Sequence, residues 1–170
     1  MLQTIPIEKV LFLDIETVPQ VGNWQHLDEP TQNLWDKKTR LQRKDDFTAE
    51  EFYKERGGIM AEFGKIICIS VGIIEKSEKI IIKSFYGDDE KQLLEEFGEI
   101  FNRPKLRDVI LCAHNGKEFD FPWIARRFLI NGMHPPKPFQ LFGKKPWEIQ
   151  HLDTMELWKF GDYKSYVSLE

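Results

Sequence analysis

The sequence predicts an α/β domain. Its mixed sheet has an antiparallel three-strand start followed by helix-linked parallel strands, flanked by helices, with a helical insertion after strand 1. Three observations carry this. KVLFLDI, residues 9–15, is apolar on both faces, as in a central strand. Two β-branched runs flank EKSE at 75–78, as in a hairpin. From residue 88 onward, helical and strand-like segments alternate.

Each element has its own signals. Residues 20–60 are polar, charged and punctuated by Pro30 and the pair Gly57-Gly58, so they read as a surface insertion within one domain spanning 1–170. Inside it, DEPTQNLWDKKTRLQRK and TAEEFYKER are amphipathic helices, with Asp28 or Thr31 and Thr48 as N-caps. GKIICISVGIIEKSEKIIIKSFYG, residues 64–87, is the hairpin. DDEKQLLEEFGEIFNR, 88–103, is a helix with acids at its start and Pro104 beyond its end. DVILCAHN, 108–115, is a buried strand, and EFDFPWIARRFLINGM, 118–133, is a helix stopping near Asn131-Gly132. After a Pro-rich loop, EIQHLD is a short strand and TMELWKFG a short helix.

With 170 residues the chain can bury a real core. Its net charge of −4 gives no whole-molecule attraction for nucleic acid, so any such binding needs a local basic patch or bridging cations. Cys68 and Cys112 lie in apolar runs and read as buried free thiols of a reducing, cytoplasmic compartment. The N-terminus shows no signal segment, and no apolar run approaches the ~20 residues of a membrane span, so no membrane is expected.

The chemistry-bearing residues stand where strands end. Asp14 and Glu16 are two apart in a strand and share a face. Like charges so close repel unless a cation lies between them, and hard oxygen ligands suit Mg²⁺ or Mn²⁺. Alternatively they are simply solvated at a strand end. Asn115 and Asp120 flank the next strand-to-helix junction, where a turn and a helix N-terminus also account for them. Asp153 is at a third such junction and reads as an N-cap, while His151 is either a base or a satisfied strand histidine.

In combination, VLFLDIETVP followed by HNGKEFDFPWIARR resembles the DEDD superfamily of 3′–5′ exonucleases, DnaQ-like proteins of ribonuclease-H-like fold. Asp14 and Glu16 match its D-x-E motif, and Asn115, Phe119 and Asp120 match N-x3-F-D. GKIICISVG and HLDTMELWKFGDYKSYVSL look like the spacers of the branch resembling family B polymerase exonuclease domains. The resemblance implies hydrolysis at the 3′ end of nucleic acid by two divalent cations, Mg²⁺ or Mn²⁺, about 3.5–4 Å apart. Asp14 would bridge them, Glu16 would ligate one and Asp120 the other, with Thr17, Asn115 and Phe119 on the substrate. Single-stranded DNA, or the 3′ end of a duplex, is the implied partner, with RNA possible.

The third motif of that family, Y-x3-D or H-x4-D, is missing. Tyr166 has Glu170 four residues on, and Glu170 is the last residue. The expectation is therefore an exonuclease domain incomplete at its C-terminus, of the tyrosine type when whole and weak or inactive as it stands. The alternatives are a non-catalytic nucleic-acid or protein-binding module and a 3′–5′ exoribonuclease. Trp24, Trp35 and Phe47 are candidates to stack on bases or to dock the insertion. Lys37, Lys38, Arg40, Arg43 and Lys44 form either a phosphate track or a solvated helix face. One of Arg126 and Arg127 has the option of facing a substrate groove.

Overall fold

A computed structural model describes residues 5–43, 46–76, 78–162, 164 and 166–168. The strands are β1 (Val10–Pro19), β2 (Gly64–Ile74), β3 (Ile80–Tyr86), β4 (Ile110–Ala113) and β5 (Leu152–Asp153). The helices are α1 (Glu29–Arg43), α2 (Ala49–Arg56), α3 (Glu90–Glu99), α4 (Asp120–Ile130) and α5 (Thr154–Lys159). They form one five-stranded sheet ordered β3-β2-β1-β4-β5. β1 pairs antiparallel with β2 and parallel with β4, and β5 runs parallel to β4. The antiparallel start, the helix-linked parallel strands and the helical insertion after β1 are thus all present.

Alternation along β1 divides the sheet. Leu11, Leu13 and Ile15 point to a core completed by Ile69, Val71 and Phe85 from the hairpin, Leu94 and Phe97 from α3, and Phe121, Ile124 and Phe128 from α4. Asp14 and Glu16 stand exposed on the opposite face, with Phe12 half-buried beside them. β1 is therefore buried on both faces only at its start, at Val10 and Leu11, and on one face from Phe12 to Glu16, not on both throughout as its composition predicts. Ile80 and Ile82, on the same face as Asp14 by register, are also exposed.

A buried ion pair fixes α4 against the rest. Arg127 donates through Nε to Glu90 Oε1 (2.8 Å) and through Nη1 to the carbonyl of Ala61 (2.8 Å). Glu90 also accepts from the N–H of Ile66 (2.7 Å) and from Asn131 Nδ2 (3.0 Å). The cluster joins α3, α4, the first turn of β2 and the end of the insertion. Arg127 is 2% exposed, which corrects the expectation that it had the option of facing a groove. A buried charge is tolerated when it is paired and hydrogen-bonded, as this one is.

The insertion carries its own small core of Trp35, Tyr53 and Phe63. Trp35 packs edge-on against both rings and donates its indole N–H to Ala49 O (2.9 Å). Asp28 caps α1 by accepting from Thr31 N (2.7 Å), and Thr48 forms a capping box with Glu51 on α2. Trp35 is thus a docking residue. Phe47 lies against Phe52, and Trp24 lies against Tyr53. Of the basic cluster, Arg43 is buried on Thr39, Asp36 and Phe47 O, and Lys38 pairs with Glu62. Lys37 and Arg40 are exposed, and Lys44 lies outside the described residues.

β5 is shorter than the predicted EIQHLD because a side chain replaces its backbone. The N–H of Leu111 donates to His151 Nδ1 (3.1 Å), while His151 Nε2–H donates to Pro138 O (2.7 Å). Burial lowers the pKa of this imidazole and keeps it neutral, so His151 is a satisfied strand histidine. Cys68 and Cys112 are free thiols; burial and the charge of Asp153 push Cys112 up to about 11, so it stays protonated. Among the described residues no helix is long and apolar enough to cross a membrane.

Candidate active site

β1, β4 and β5 are parallel, so their carboxyl ends share one edge of the sheet. Ligands of open α/β sheets gather at that edge. Asp14 and Glu16 lie in the C-terminal half of β1, Asp120 opens the helix after β4, and Asp153 ends β5. The β1–β2 register slips between Glu16 and Thr17, where Cys68 and Ile66 are the successive partners. Such a bulge bends a strand and re-aims its side chains. It falls directly after Glu16, three residues before β1 ends at Pro19.

Asp120 is only 3% exposed. Its carboxylate meets β1 beyond Phe12, where pairing with β4 has ended, and the backbone N–H groups of Ile15 and of Asp120 itself favour its charged form. Burial raises its pKa to about 7, with the charge of Asp14 as the next cause and that of Asp153 as a lesser one. Asp120 is thus held beside Asp14, not on the far side of the sheet. Among the described residues, no lysine, arginine or histidine pairs with Asp14, Glu16 or Asp120.

Asn115 sits in the left-handed region (φ 58°), which Asn tolerates better than most residues. Its carbonyl accepts from Phe119 N (3.0 Å), and its N–H donates to Asp153 Oδ1 (2.9 Å). Its Oδ1 is buried and, among the described residues, has no hydrogen-bond partner. Gly116 must be glycine, because a Cβ there would lie 2.4 Å from Ala113 Cβ and 3.1 Å from the Phe121 ring. Phe119 is half-buried, 6.2 Å from the Trp123 ring. Thr17 uses its hydroxyl internally, donating to Gly58 O (2.7 Å). Gly58 passes so close to β1 that a Cβ would come within 3.1 Å of Val18 backbone. Of the predicted site residues, the fold therefore gathers Asp14, Glu16, Asn115 and Asp120 at one edge, and Thr17 fastens the insertion beside them.

Two contributors were not legible beforehand. Asp153 caps α5 through Met155 N (3.0 Å), as its position implies, but also accepts from Asn115 N and Lys117 N (3.1 Å). His114 donates through Nε2 to Val167 O (2.6 Å) and accepts from the Thr154 hydroxyl at Nδ1 (2.9 Å), which ties Val167 to the end of β4. Tyr166 is exposed, and Glu170 lies outside the described residues.

The family profile described as the RNase_H superfamily matches residues 52–170. The chain belongs to the RNase_H superfamily. The match begins within α2 and leaves out β1, the strand that carries Asp14 and Glu16. Among solved structures, this RNase_H-superfamily chain is similar to E. coli exonuclease I in complex with a dT13 oligonucleotide. The identity is 12% and the TM-score 0.50, over 89% of this chain and 29% of that one. The zinc-bound E. coli exonuclease I–single-stranded DNA complex gives the same values. The family B DNA polymerase of the archaeon Pyrobaculum calidifontis matches at 15% identity and a TM-score of 0.40, over 73% of this chain and 11% of that one. The chain spans under a third of the exonuclease I chains, and the likeness is one of fold. No curated protein matches the sequence.

The donor set of this superfamily member suits divalent cations. It offers carboxylate oxygens at Asp14, Glu16 and Asp120, and the hard cations Mg²⁺ and Mn²⁺ prefer oxygen ligands. Crowding of Asp120 by Asp14 is relieved by a positive charge between them. Among the described residues no three His, Cys, Asp or Glu side chains are already gathered as a metal centre; Asp14 and Glu16 are exposed.

Proposed function

We propose that this protein is a metal-dependent 3′–5′ exonuclease that hydrolyses the terminal phosphodiester bond of a single-stranded end, DNA by preference. The observation that carries the reading is the meeting of Asp14 and Asp120 at the carboxyl edge of the sheet, with the Asp120 pKa raised to about 7 by burial and by Asp14. Nuclease-type folds among the similar structures support it, as does the single-stranded oligonucleotide bound by E. coli exonuclease I.

Asp14, Glu16 and Asp120 would hold two divalent cations, Mg²⁺ or Mn²⁺. When bound, these would supply charge neutralisation of the phosphate and a water of lowered pKa. Below about pH 7 Asp120 holds a proton, through burial first and the charge of Asp14 second, and a cation beside Asp14 would favour its ionised form. Asn115 Oδ1, buried and unpartnered, offers an acceptor for a hydroxyl of the terminal nucleotide or an ordered water. Phe119 presents a half-buried ring on which a terminal base can stack. Thr17 acts by holding the insertion against the end of β1.

The test is a 5′-labelled single strand incubated with the protein and Mg²⁺ or Mn²⁺. The expected result is a ladder shortening from the 3′ end, abolished by chelation and by Asp14→Asn or Asp120→Asn. Internal cuts would overturn the reading. So would binding without cleavage that survives both substitutions, the behaviour of a binding module.

A further inference from the structure

We propose that Asp153 is a positioning residue that sets Asp120 against β1 by clamping the turn between β4 and α4. This deepens the nuclease reading and rests on it only for the consequence at the cations.

Asp153 is 2% exposed and accepts from three backbone N–H groups. Only one of them, Met155 N, belongs to the helix that Asp153 caps. The other two, Asn115 N and Lys117 N, lie 38 and 36 residues away in the chain, on a turn that α5 does not need. An Asp serving as an N-cap alone has no use for them.

The turn requires such a clamp. β4 and β5 share only two register pairs, Cys112↔Leu152 and Ala113↔Asp153, a ladder too short to hold the chain beyond Ala113 in place. Asn115 is left-handed, and Gly116 is pressed against Ala113 and Phe121. The N–H of Phe121 donates to Gly116 O (2.9 Å), so the turn is tied directly to the first turn of α4. Asp120 is the first residue of that helix. A buried carboxylate held by three N–H groups is rigid, and second-layer residues of this kind set the direction of the groups that touch a ligand.

Two substitutions separate the clamp from the cap. Asp153→Ser retains an oxygen for Met155 N but cannot reach across to the turn. Asp153→Asn is milder: Oδ1 still accepts, while its NH₂ meets Lys117 N–H with a donor. Leu94→Ala, in the core on α3, is the control for loss of stability alone. Two readouts are taken from this chain: amide hydrogen exchange at Asn115, Lys117 and Ile15, and Mn²⁺ affinity measured with the metal alone.

Ile15 is decisive because its backbone N–H acts on the Asp120 carboxyl, so its protection reports where Asp120 sits with or without metal. Both Asp153 variants are expected to lose protection at Lys117 and at Ile15, whereas Leu94→Ala at equal loss of stability keeps Ile15 protected relative to its neighbours. Mn²⁺ should bind about tenfold more weakly to the Asp153 variants. Unchanged protection at Ile15 in a folded Asp153→Asn or Asp153→Ser protein would overturn the inference. Wild-type protein that binds no Mn²⁺ would instead count against the cation site, and Ile15 would still decide whether Asp153 positions Asp120.

Discussion

Asp14 and Asp120 come from separate elements, yet the charge of the first hinders ionisation of the second. The sheet brings this about: β1 exposes Asp14 past the point where β4 leaves it, and α4 begins there with Asp120 on the N–H of Ile15. Asp14→Asn should therefore lower the Asp120 pKa from about 7 without returning it to the 3.8 of a free carboxyl, because burial, the larger cause, remains. Carboxyl ¹³C titration of the metal-free protein measures this. An Asp120 pKa indifferent to Asp14→Asn would mean that the two groups do not share a site.

The same shift makes stability depend on pH. Asp120 has a higher pKa folded than unfolded, so between 3.8 and about 7 the folded state holds the extra proton. Stability contributed by the protonated group is then lost as pH rises through that window. The cost of the ionised form at pH 8 is on the order of a few kcal/mol. Asp120→Asn keeps an oxygen for Ile15 N–H and carries no charge. Its advantage over wild type in metal-free thermal melts should grow from pH 4 to pH 7 and stay level above. A constant difference across that range would contradict the burial and crowding of Asp120.

The Glu90–Arg127 pair should be intolerant of losing one partner. Glu90→Gln or Arg127→Met leaves a buried charge uncompensated, and each should cost ~3–5 kcal/mol in urea unfolding. Replacing both with apolar residues should cost less than the sum of the two, since no charge is then stranded. Additive losses would show that the two residues act independently.

Trp35 holds the insertion through two edge-on ring contacts and one indole hydrogen bond. Trp35→Ala should cost about 3–5 kcal/mol and open residues 20–60 to limited proteolysis before the sheet is cut. Cleavage spread evenly over the chain would mean that the insertion's core is not a separate support.

Local signals in the sequence were reliable guides. Period-two alternation places Asp14 and Glu16 on one face, Asp28 and Thr48 cap their helices as their residue types require, and β2 and β3 pair from Ile74 and Ile80 as the hairpin expects, with Ser77 of EKSE outside the described residues. Long-range satisfaction of polar groups was not legible. The sequence leaves a groove open to Arg126 or Arg127 because the partner that buries Arg127, Glu90, is 37 residues away. His151 shortened β5 by taking the N–H of Leu111, 40 residues distant. Asp153 read as a cap because only its nearest hydrogen bond is local. The burial of β1 on one face also escaped composition, since Phe12 is apolar whether or not helices cover it.

Paramagnetic broadening by Mn²⁺ tests the central claim most directly. At substoichiometric Mn²⁺, the carboxyl ¹³C resonances of Asp14, Glu16 and Asp120 should broaden together, and Asp14→Asn should remove the effect at Asp120. If Asp14 or Glu16 broadens while Asp120 stays sharp, the three carboxylates do not form one cation site.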